Sequence, residues 1–247
     1  AYARERDLKV SHILHFRYLH DTYIFKPEEI LKDDSSPYLV FTPFYNKAKA
    51  LFSKEHLHEY RFGEHTLYLT SYEGITKIED KKEETLPLAM GSIGFTENLP
   101  KIDEVGRKLT ALKKNLPVYA RQRDFLDKEA TSHLSIDLRF GTISIRSLLR
   151  FLAEQKKEGV DTEPFFRQLI FRDFYAYLLF HFPDLARKNH KYRFNGIEDE
   201  EKYRAFCEAR TGVPVVDAGV RELLQTGNMH NRVRMICASF FTKDLLL

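Results

Sequence analysis

Apolar residues recur at three- and four-residue intervals from residue 101 onward, the spacing that predicts amphipathic helices. One such series covers 102–112, and a second covers 143–152, where Ser144 is a suitable N-terminal cap. Residues 164–182 are so consistently apolar that this predicted helix must be buried on most sides before Pro183 ends it. The chain from 101 onward is therefore predicted to be mainly α-helical.

Glycine and proline mark the ends of the predicted elements near the C-terminus. A helix over 199–211 is predicted to end at Gly212. Pro214 is expected to open the next helix and Gly227 to end it, because proline favours the first helical turn and glycine the position after the last. A final helix is predicted over about 229–246.

The N-terminal part shows a weaker and more mixed pattern. Residues 2–16 are predicted to begin as a charged helix. Residues 38–44 are expected to be extended as far as Pro43, with a helix following from Asn46. Residues 60–100 mix charge runs with glycine and proline, so we expect a linker on the protein surface.

Composition indicates a globular protein, since 43% of the 247 residues are hydrophobic and 30% are charged. No apolar run approaches the roughly 20 residues of a membrane span. The net charge is +3, and the surplus lies in residues 164–247. A phosphate-facing patch there would be compatible with this distribution. The chain has two cysteines, too few for a disulfide framework, and no tryptophan.

Polar residues interrupt the apolar helix predicted over 164–182. Gln168, Phe171 and Arg172 are spaced to share one face of it. A buried amide and a buried guanidinium must be satisfied either by a ligand or by partners within the protein. An internal salt bridge from Arg172 to Asp173 or Asp217 is the alternative to a ligand site.

The last predicted helix also presents an amide and an arginine together, because Asn231, Arg234 and Met235 share one of its faces. Arg232, the residue after Asn231, lies on the adjacent face. Two such helices suggest a cavity for a flat, charged, polyoxygenated ligand, which a flavin nucleotide or other molecules would fit. The clustered hydroxyls at 131–135 could bind a phosphate or simply cap a helix.

Other chemistries find little support in the sequence. His12, His15 and His20 lie close together but lack the carboxylate or thiolate spacing of a zinc site. There is no nucleophile elbow, phosphate-binding P-loop or dinucleotide-binding glycine motif. We therefore expect no metal ion.

A series of motifs resembles the DNA photolyase/cryptochrome family, and the motifs occur in family order across essentially the whole chain. They are HDT at 20–22, VFTPF at 40–44, YARQRDF at 119–125, TSHLS at 131–135, LRFGTIS at 138–144, QLIFRDFY at 168–175, TGVPVVDAGVR at 211–221, MHNR at 229–232 and ASFFTKDL at 238–245.

The resemblance implies roles for individual residues. Positions expected to contact FAD are Tyr119, Thr131, Ser132, Leu134, Ser135, Phe165, Gln168, Arg172, Asn231 and Arg234. Positions expected to take part in catalysis at the flipped-out pyrimidine dimer are Gln168, Phe171, Asn231 and Met235. Positions expected to contact DNA are Phe171, Asn231 and Arg232. A damaged base pair leaves the stack more easily than an intact one, which suits such a pocket.

The sequence also departs from the family pattern. Phe165, Phe171, Phe206 and Asn228 stand where members usually carry tryptophan, so the family's tryptophan chain for flavin reduction is absent. Gln168 replaces the glutamate usual in photolyases specific for cyclobutane dimers and is commoner in animal cryptochromes and (6-4) photolyases, whereas MHNR is the dimer-photolyase form.

The resemblance implies a mainly α-helical FAD-binding domain at 101–247, preceded by an interdomain linker at 36–100 and the remnant of an α/β domain at 1–35. We expect part of a longer protein, lacking most of the N-terminal α/β domain and the end of the FAD-binding domain. Any antenna pigment would bind the missing N-terminal domain.

The expected function is light-dependent, FAD-mediated splitting of cyclobutane pyrimidine dimers, with DNA carrying such a dimer as the partner. The alternatives are a cryptochrome-like blue-light receptor and a flavin-free DNA-binding remnant. We expect a monomeric, cytoplasmic protein without membrane contact, associated with the nucleoid if bacterial.

Overall fold

The computed structural model describes residues 2–13, 22–58, 104–188 and 196–247, and within them the side chains of 2–4 and 186 are left aside. These ranges contain helices and no strand. The predicted mainly α-helical class is therefore confirmed. The helices are α1 Tyr2–Ser11, α2 Phe41–Leu51, α3 Val105–Asn115, α4 Tyr119–Gln122, α5 Ser135–Phe140, α6 Ile145–Lys157, α7 Glu163–His181, α8 Glu200–Cys207, α9 Pro214–Thr226 and α10 Asn231–Ser239.

Local sequence sets several of the helix ends as predicted. The Ser144 hydroxyl accepts a hydrogen bond from the Arg146 amide at 3.1 Å and so caps α6. α7 has Pro164 in its first turn, and it ends just before Pro183. Gly227 follows α9 with φ +71°, a conformation that glycine adopts without steric cost.

Other boundaries differ from the predictions. α2 begins at Phe41 rather than Asn46, because Pro43 lies in its first turn, where no amide donor is needed. α8 ends at Cys207, short of the predicted 211. The last helix is α-helical only to Ser239 and continues as a π-helical turn at Phe240–Asp244.

Two hydrophobic clusters organise the described residues. The larger joins α2, α6 and α7 to residues 24–30, and Phe44, Leu148 and Ile170 are fully buried within it. The smaller joins α9 and α10 through residues such as Val216 and Val233. Residues 22–58 thus pack in the same compact unit as 104–188 and 196–247, and residues 59–103 lie outside the described residues. The domain boundaries expected at 35 and 100 stay predictions.

A close helix contact fixes α10 against α9. A methyl group added at Gly219 of α9 would lie only 2.2 Å from Cγ1 of Val233 on α10. The glycine therefore allows a separation that any side chain would prevent, and this contact determines where the first turn of α10 lies.

Candidate functional site

A cleft of about 540 Å³ lies between elements of the two hydrophobic clusters. Its volume is within the roughly 300–1,000 Å³ of small-molecule sites. One wall comes from residues 119–135 and α7, and the other from residues 228–234 at the start of α10. The lining residues are Tyr119, Arg123, Asp124, Thr131, Ser132, His133, Leu134, Ser135, Gln168, Asn228, Met229, His230, Asn231 and Arg234.

Tyr119 forms the buried part of the first wall. Its ring is only 7% exposed and meets the Phe165 ring edge-on, with the centroids 5.2 Å apart. The Arg123 guanidinium lies 5.8 Å from the centroid of the Tyr119 ring. Burial raises the pKa of the Tyr119 hydroxyl, and the nearby Arg123 opposes that rise. The phenol is therefore neutral at physiological pH and can donate a hydrogen bond.

The hydroxyl cluster at 131–135 forms the next part of this wall. His133 has φ +51°, in the left-handed region, which turns the chain sharply between Ser132 and Ser135. The Thr131 hydroxyl lies 3.1 Å from Nε2 of His133, and the Ser132 hydroxyl accepts a hydrogen bond from the Leu134 amide at 3.4 Å. Three hydroxyl groups therefore line one stretch of the cleft.

A buried ion pair holds the short helix α5, which begins at this cluster. Lys108 Nζ lies 2.7 Å from Oδ2 of Asp137, and their side chains are 10% and 3% exposed. The Thr142 hydroxyl donates to Oδ1 of Asp137 at 2.9 Å. Burial raises the pKa of Asp137, but the hydrogen bonds from Lys108 and Thr142 outweigh it and hold the pKa below its usual range.

Arg172 anchors the other end of α5. Its Nη2 donates to the Leu138 carbonyl at 3.1 Å, and its Nη1 donates to the Thr22 carbonyl at 2.6 Å. The carboxylates of Asp173 and Asp217 accept backbone and hydroxyl hydrogen bonds elsewhere. The salt bridge considered from the sequence is therefore replaced by carbonyl contacts, which tie α7 to α5 and to residue 22.

His230 joins the two walls. Its Nδ1 accepts a hydrogen bond from the Arg232 amide at 3.1 Å and so caps α10. Its Nε2 lies 3.0 Å from the Arg123 carbonyl, which can only accept. These two contacts require a neutral imidazole with its proton on Nε2.

A salt bridge crosses the rim of the cleft beside His230. Arg232 Nη2 lies 2.9 Å from Oδ1 of Asp124, and both side chains are about half exposed, at 46% and 50%. Asp124 lines the cleft, whereas Arg232 lies outside its lining.

The structure brings eight of the predicted site residues together in the cleft: Tyr119, Thr131, Ser132, Leu134, Ser135, Gln168, Asn231 and Arg234. They come from three parts of the chain, 119–135, 168 and 231–234, and the first and last of these lie about 100 residues apart. Gln168 Nε2 makes one long contact, 3.5 Å from the Pro164 carbonyl, so its amide is available to a ligand.

Five predicted residues do not line the cleft. Phe165 packs against the ring of Tyr119. Arg172 bonds two backbone carbonyls, and Arg232 pairs with Asp124. Phe171 stacks face to face on Phe41, with the centroids 3.4 Å apart. Met235 is 55% exposed, with its sulfur 3.9 Å from the Asn231 amide nitrogen. Their roles at the cofactor, the dimer and DNA stay predictions.

Several cleft residues were absent from the predicted set: Arg123, Asp124, His133, Asn228, Met229 and His230. All six lie within or next to the family-like motifs at 119–125, 131–135 and 229–232. The motifs therefore located the cleft, but they did not identify which of their members face it.

A second cavity, of about 630 Å³, lies beside α7 and residues 23–30. Its lining is mainly apolar and includes the aromatic residues Tyr23, Phe25, Phe44 and Tyr177, together with Asp173. Although it is larger, its lining has no arginine, serine or threonine, and the acidic residues Asp7, Glu28 and Asp173 face a single lysine, Lys26, which does not suit a phosphorylated ligand. The cleft is therefore the better candidate for such a ligand.

Two further findings concern the described residues alone. They contain no group of three or more histidine, cysteine, aspartate or glutamate residues that could hold a metal ion. None of their helices is sufficiently long and apolar to traverse a membrane.

Comparisons with known proteins agree with the geometry. Residues 165–247 match the model of the FAD binding domain of DNA photolyase. A deoxyribodipyrimidine photo-lyase of Alkalihalophilus pseudofirmus is 32% identical over 253 residues, which cover 99% of this chain and 52% of the relative. The chain thus spans about half the length of that curated relative.

Solved structures give the same result. A class III photolyase from Agrobacterium tumefaciens has a TM-score of 0.69 and 30% identity, covering 92% of this chain and 48% of that one. An archaeal photolyase from Sulfolobus tokodaii, solved with two FAD molecules, has a TM-score of 0.52 and 30% identity, covering 62% of this chain and 35% of that one. The cleft, the ordered motifs and these similarities together show that the chain belongs to the DNA photolyase/cryptochrome family.

Proposed function

We propose that this chain binds FAD in the cleft and serves light-dependent repair of cyclobutane pyrimidine dimers in DNA. The observation that carries the proposal is the convergence of Tyr119, the 131–135 hydroxyls, Gln168, Asn231 and Arg234 around one cleft. These residues are distant in sequence, so a shared role in holding one ligand explains their meeting. Relatives named as photo-lyases support the type of reaction.

The donor set in the cleft fits FAD. Thr131, Ser132 and Ser135 offer hydroxyls, and Arg123 and Arg234 offer guanidiniums, which together suit a diphosphate. The side-chain amides of Gln168 and Asn231 can each donate and accept, as the polar edge of a flavin ring system requires. The two FAD molecules in the archaeal relative support the expected second pigment, which stays a prediction.

FAD held in this cleft would supply the light-driven electron-transfer chemistry that dimer splitting requires. The residues of this chain provide binding and orientation. Asn231 and Gln168 line the cleft and can orient the cofactor and the displaced bases. Arg232, on the rim, is placed to contact a DNA phosphate, and such contacts fix the position of the duplex without reading its sequence.

Flavin binding is tested by the visible absorption spectrum of the purified chain after incubation with FAD and desalting. We expect a structured flavin band. Arg172→Ala should lower flavin occupancy because it releases α5, which begins at the hydroxyl cluster. Arg150→Ala is the matched control, since Arg150 also donates to a carbonyl, that of Leu57, but away from the cleft. Equal occupancy in both variants would contradict the role given to Arg172.

Repair is tested with an oligonucleotide containing one thymine dimer, bound in the dark and then illuminated with blue light. Loss of the dimer only under illumination supports the proposal. A retained flavin without lesion-selective binding or repair would favour a cryptochrome-like photoreceptor, which the amide at Gln168 also favours. Lesion-independent, strongly salt-dependent binding without flavin would indicate a DNA-binding remnant.

A further inference from the structure

We propose that Asp124 competes with DNA for Arg232 at the rim of the cleft, so that a phosphate must displace the carboxylate before the duplex can bind there. The proposal rests on the proposed function, because it concerns how the same cleft receives DNA. It assigns Asp124 a role in setting DNA affinity through Arg232.

The salt bridge has the properties of an exchangeable contact. Arg232 Nη2 lies 2.9 Å from Asp124 Oδ1, and both side chains remain about half exposed, at 46% and 50%. Ion pairs of this exposure contribute little to stability, because solvent screens them and holding two long side chains costs entropy. A phosphate offers the guanidinium the same charge and more acceptor oxygens. Exchange of the carboxylate for a phosphate is therefore favourable at small cost.

The backbone around Arg232 is held independently of this salt bridge. His230 accepts from the Arg232 amide at 3.1 Å and contacts the Arg123 carbonyl at 3.0 Å. These hydrogen bonds join α10 to the segment that carries Asp124. The guanidinium can therefore change partner while the two walls keep their separation.

The charge pattern of the lining makes Asp124 the natural competitor. Asp124 is the one carboxylate among the described residues that line the cleft, where it lies beside the cations Arg123 and Arg234. Its negative charge repels an approaching phosphate. Its carboxylate also pairs with Arg232, the cation on the rim. Removing that charge should therefore strengthen DNA binding in two ways. It abolishes the repulsion of the phosphate, which does not depend on Arg232, and it releases the Arg232 guanidinium to bind the phosphate.

The test compares Asp124→Asn with Asp127→Asn, a matched control with the same change in net charge. Asp127 is exposed, pairs with Lys128 at 3.2 Å and does not line the cleft. Fluorescence anisotropy of the full chain would give the Kd for a labelled duplex with one thymine dimer and for the undamaged duplex. Arg232→Ala and the double variant complete a double-mutant cycle, and circular dichroism verifies that each variant is folded.

We expect Asp124→Asn to tighten binding of both duplexes about fivefold at about 50 mM salt, and less at about 200 mM. Asp127→Asn should give a clearly smaller gain. Most of the gain should disappear in the Arg232→Ala background, because no guanidinium is then released. The gain applies to both duplexes, since a phosphate contact carries no lesion information.

Three results would overturn the proposal: equal gains from Asp124→Asn and Asp127→Asn, a gain from Asp124→Asn that is undiminished in the Arg232→Ala background, or weaker binding by Asp124→Asn. Absence of DNA binding by every variant would also overturn it, because no phosphate would then be competing. The proposed function fails separately, if the wild-type chain retains no flavin or does not prefer the damaged duplex. The ratio of the Kd values of two variants for the same duplex depends neither on flavin retention nor on a preference for damaged DNA.

Discussion

Asp173 carries a buried carboxyl group on α7, and the described residues satisfy only one of its two oxygens. Its Oδ2 accepts hydrogen bonds from the amides of Ile24 and Phe25 at 2.8 Å and 3.1 Å. Its Oδ1 has no hydrogen-bond partner among the described residues, and the residue is 4% exposed. Burial raises the pKa of this carboxyl to about 7, although the two amides and the charge of Arg172 act in the opposite direction.

This pKa has a consequence for stability. The ordinary pKa of an aspartate, 3.8, applies in the unfolded chain, so between about pH 4 and pH 7 the folded chain holds a proton that the unfolded chain has released. The contribution of Asp173 to the free energy of unfolding should therefore decrease as the pH rises through this window. At about 1.4 kcal/mol per pH unit, the total loss is about 4 kcal/mol, and the contribution is constant above pH 7.

The assay is urea unfolding of the wild type and of Asp173→Asn at pH 4 and pH 8. Asparagine keeps a carbonyl oxygen for the amides of Ile24 and Phe25 but cannot ionise. The change in unfolding free energy between the two pH values should differ by about 4 kcal/mol between the proteins, the wild type losing more stability at the higher pH. Contributions from groups common to both cancel in this comparison. An identical pH dependence in the two proteins would refute the argument, since it would mean that the buried carboxyl gains no proton on folding.

Three further outcomes are expected. Gly219→Ala should lower the free energy of unfolding by about 2 kcal/mol in urea titration, because the new methyl group collides with Val233, and adding Val233→Ala should restore part of the loss. Lys108→Ala should cost about 3 kcal/mol in the same assay, because Asp137 would be left buried without its cation, and a negligible change would contradict that burial. His230→Ala should cost about 1 kcal/mol and speed amide hydrogen exchange in the first turn of α10, and unchanged exchange there would argue against the cap.

A helix boundary was predicted correctly where residues within the same helical turn determine it, and less well where packing against another helix determines it. Helices α7 and α9 begin and end close to their predicted bounds, and α6 begins directly after its predicted cap Ser144, because a serine cap, prolines and a glycine act within one helical turn. α2 was predicted to begin too late, because Pro43 is equally compatible with an extended segment and with a first turn. Packing on α7 selects the helical alternative.

The candidate site was predictable as a set of segments but not as a geometry. The motifs indicated which stretches of the chain carry polar residues for a ligand, and eight of the predicted side chains do meet in one cleft. They could not indicate that Phe171 would stack on Phe41 or that Arg172 would bond the carbonyls of Leu138 and Thr22. Helical spacing gives the direction of a side chain relative to its own helix and leaves its partner undetermined.

Sequence alone thus determined the helical class, the positions of several helices and the family-like motifs, because these depend on local spacing and on residue chemistry. Tertiary structure alone decided the partners: Asp124 with Arg232, Lys108 with Asp137, and His230 with a carbonyl 107 residues away. A charged or polar side chain can pair with many others at similar energy. Which pair forms depends on which segments the hydrophobic clusters bring within hydrogen-bonding distance, and that distance is a property of the packed chain.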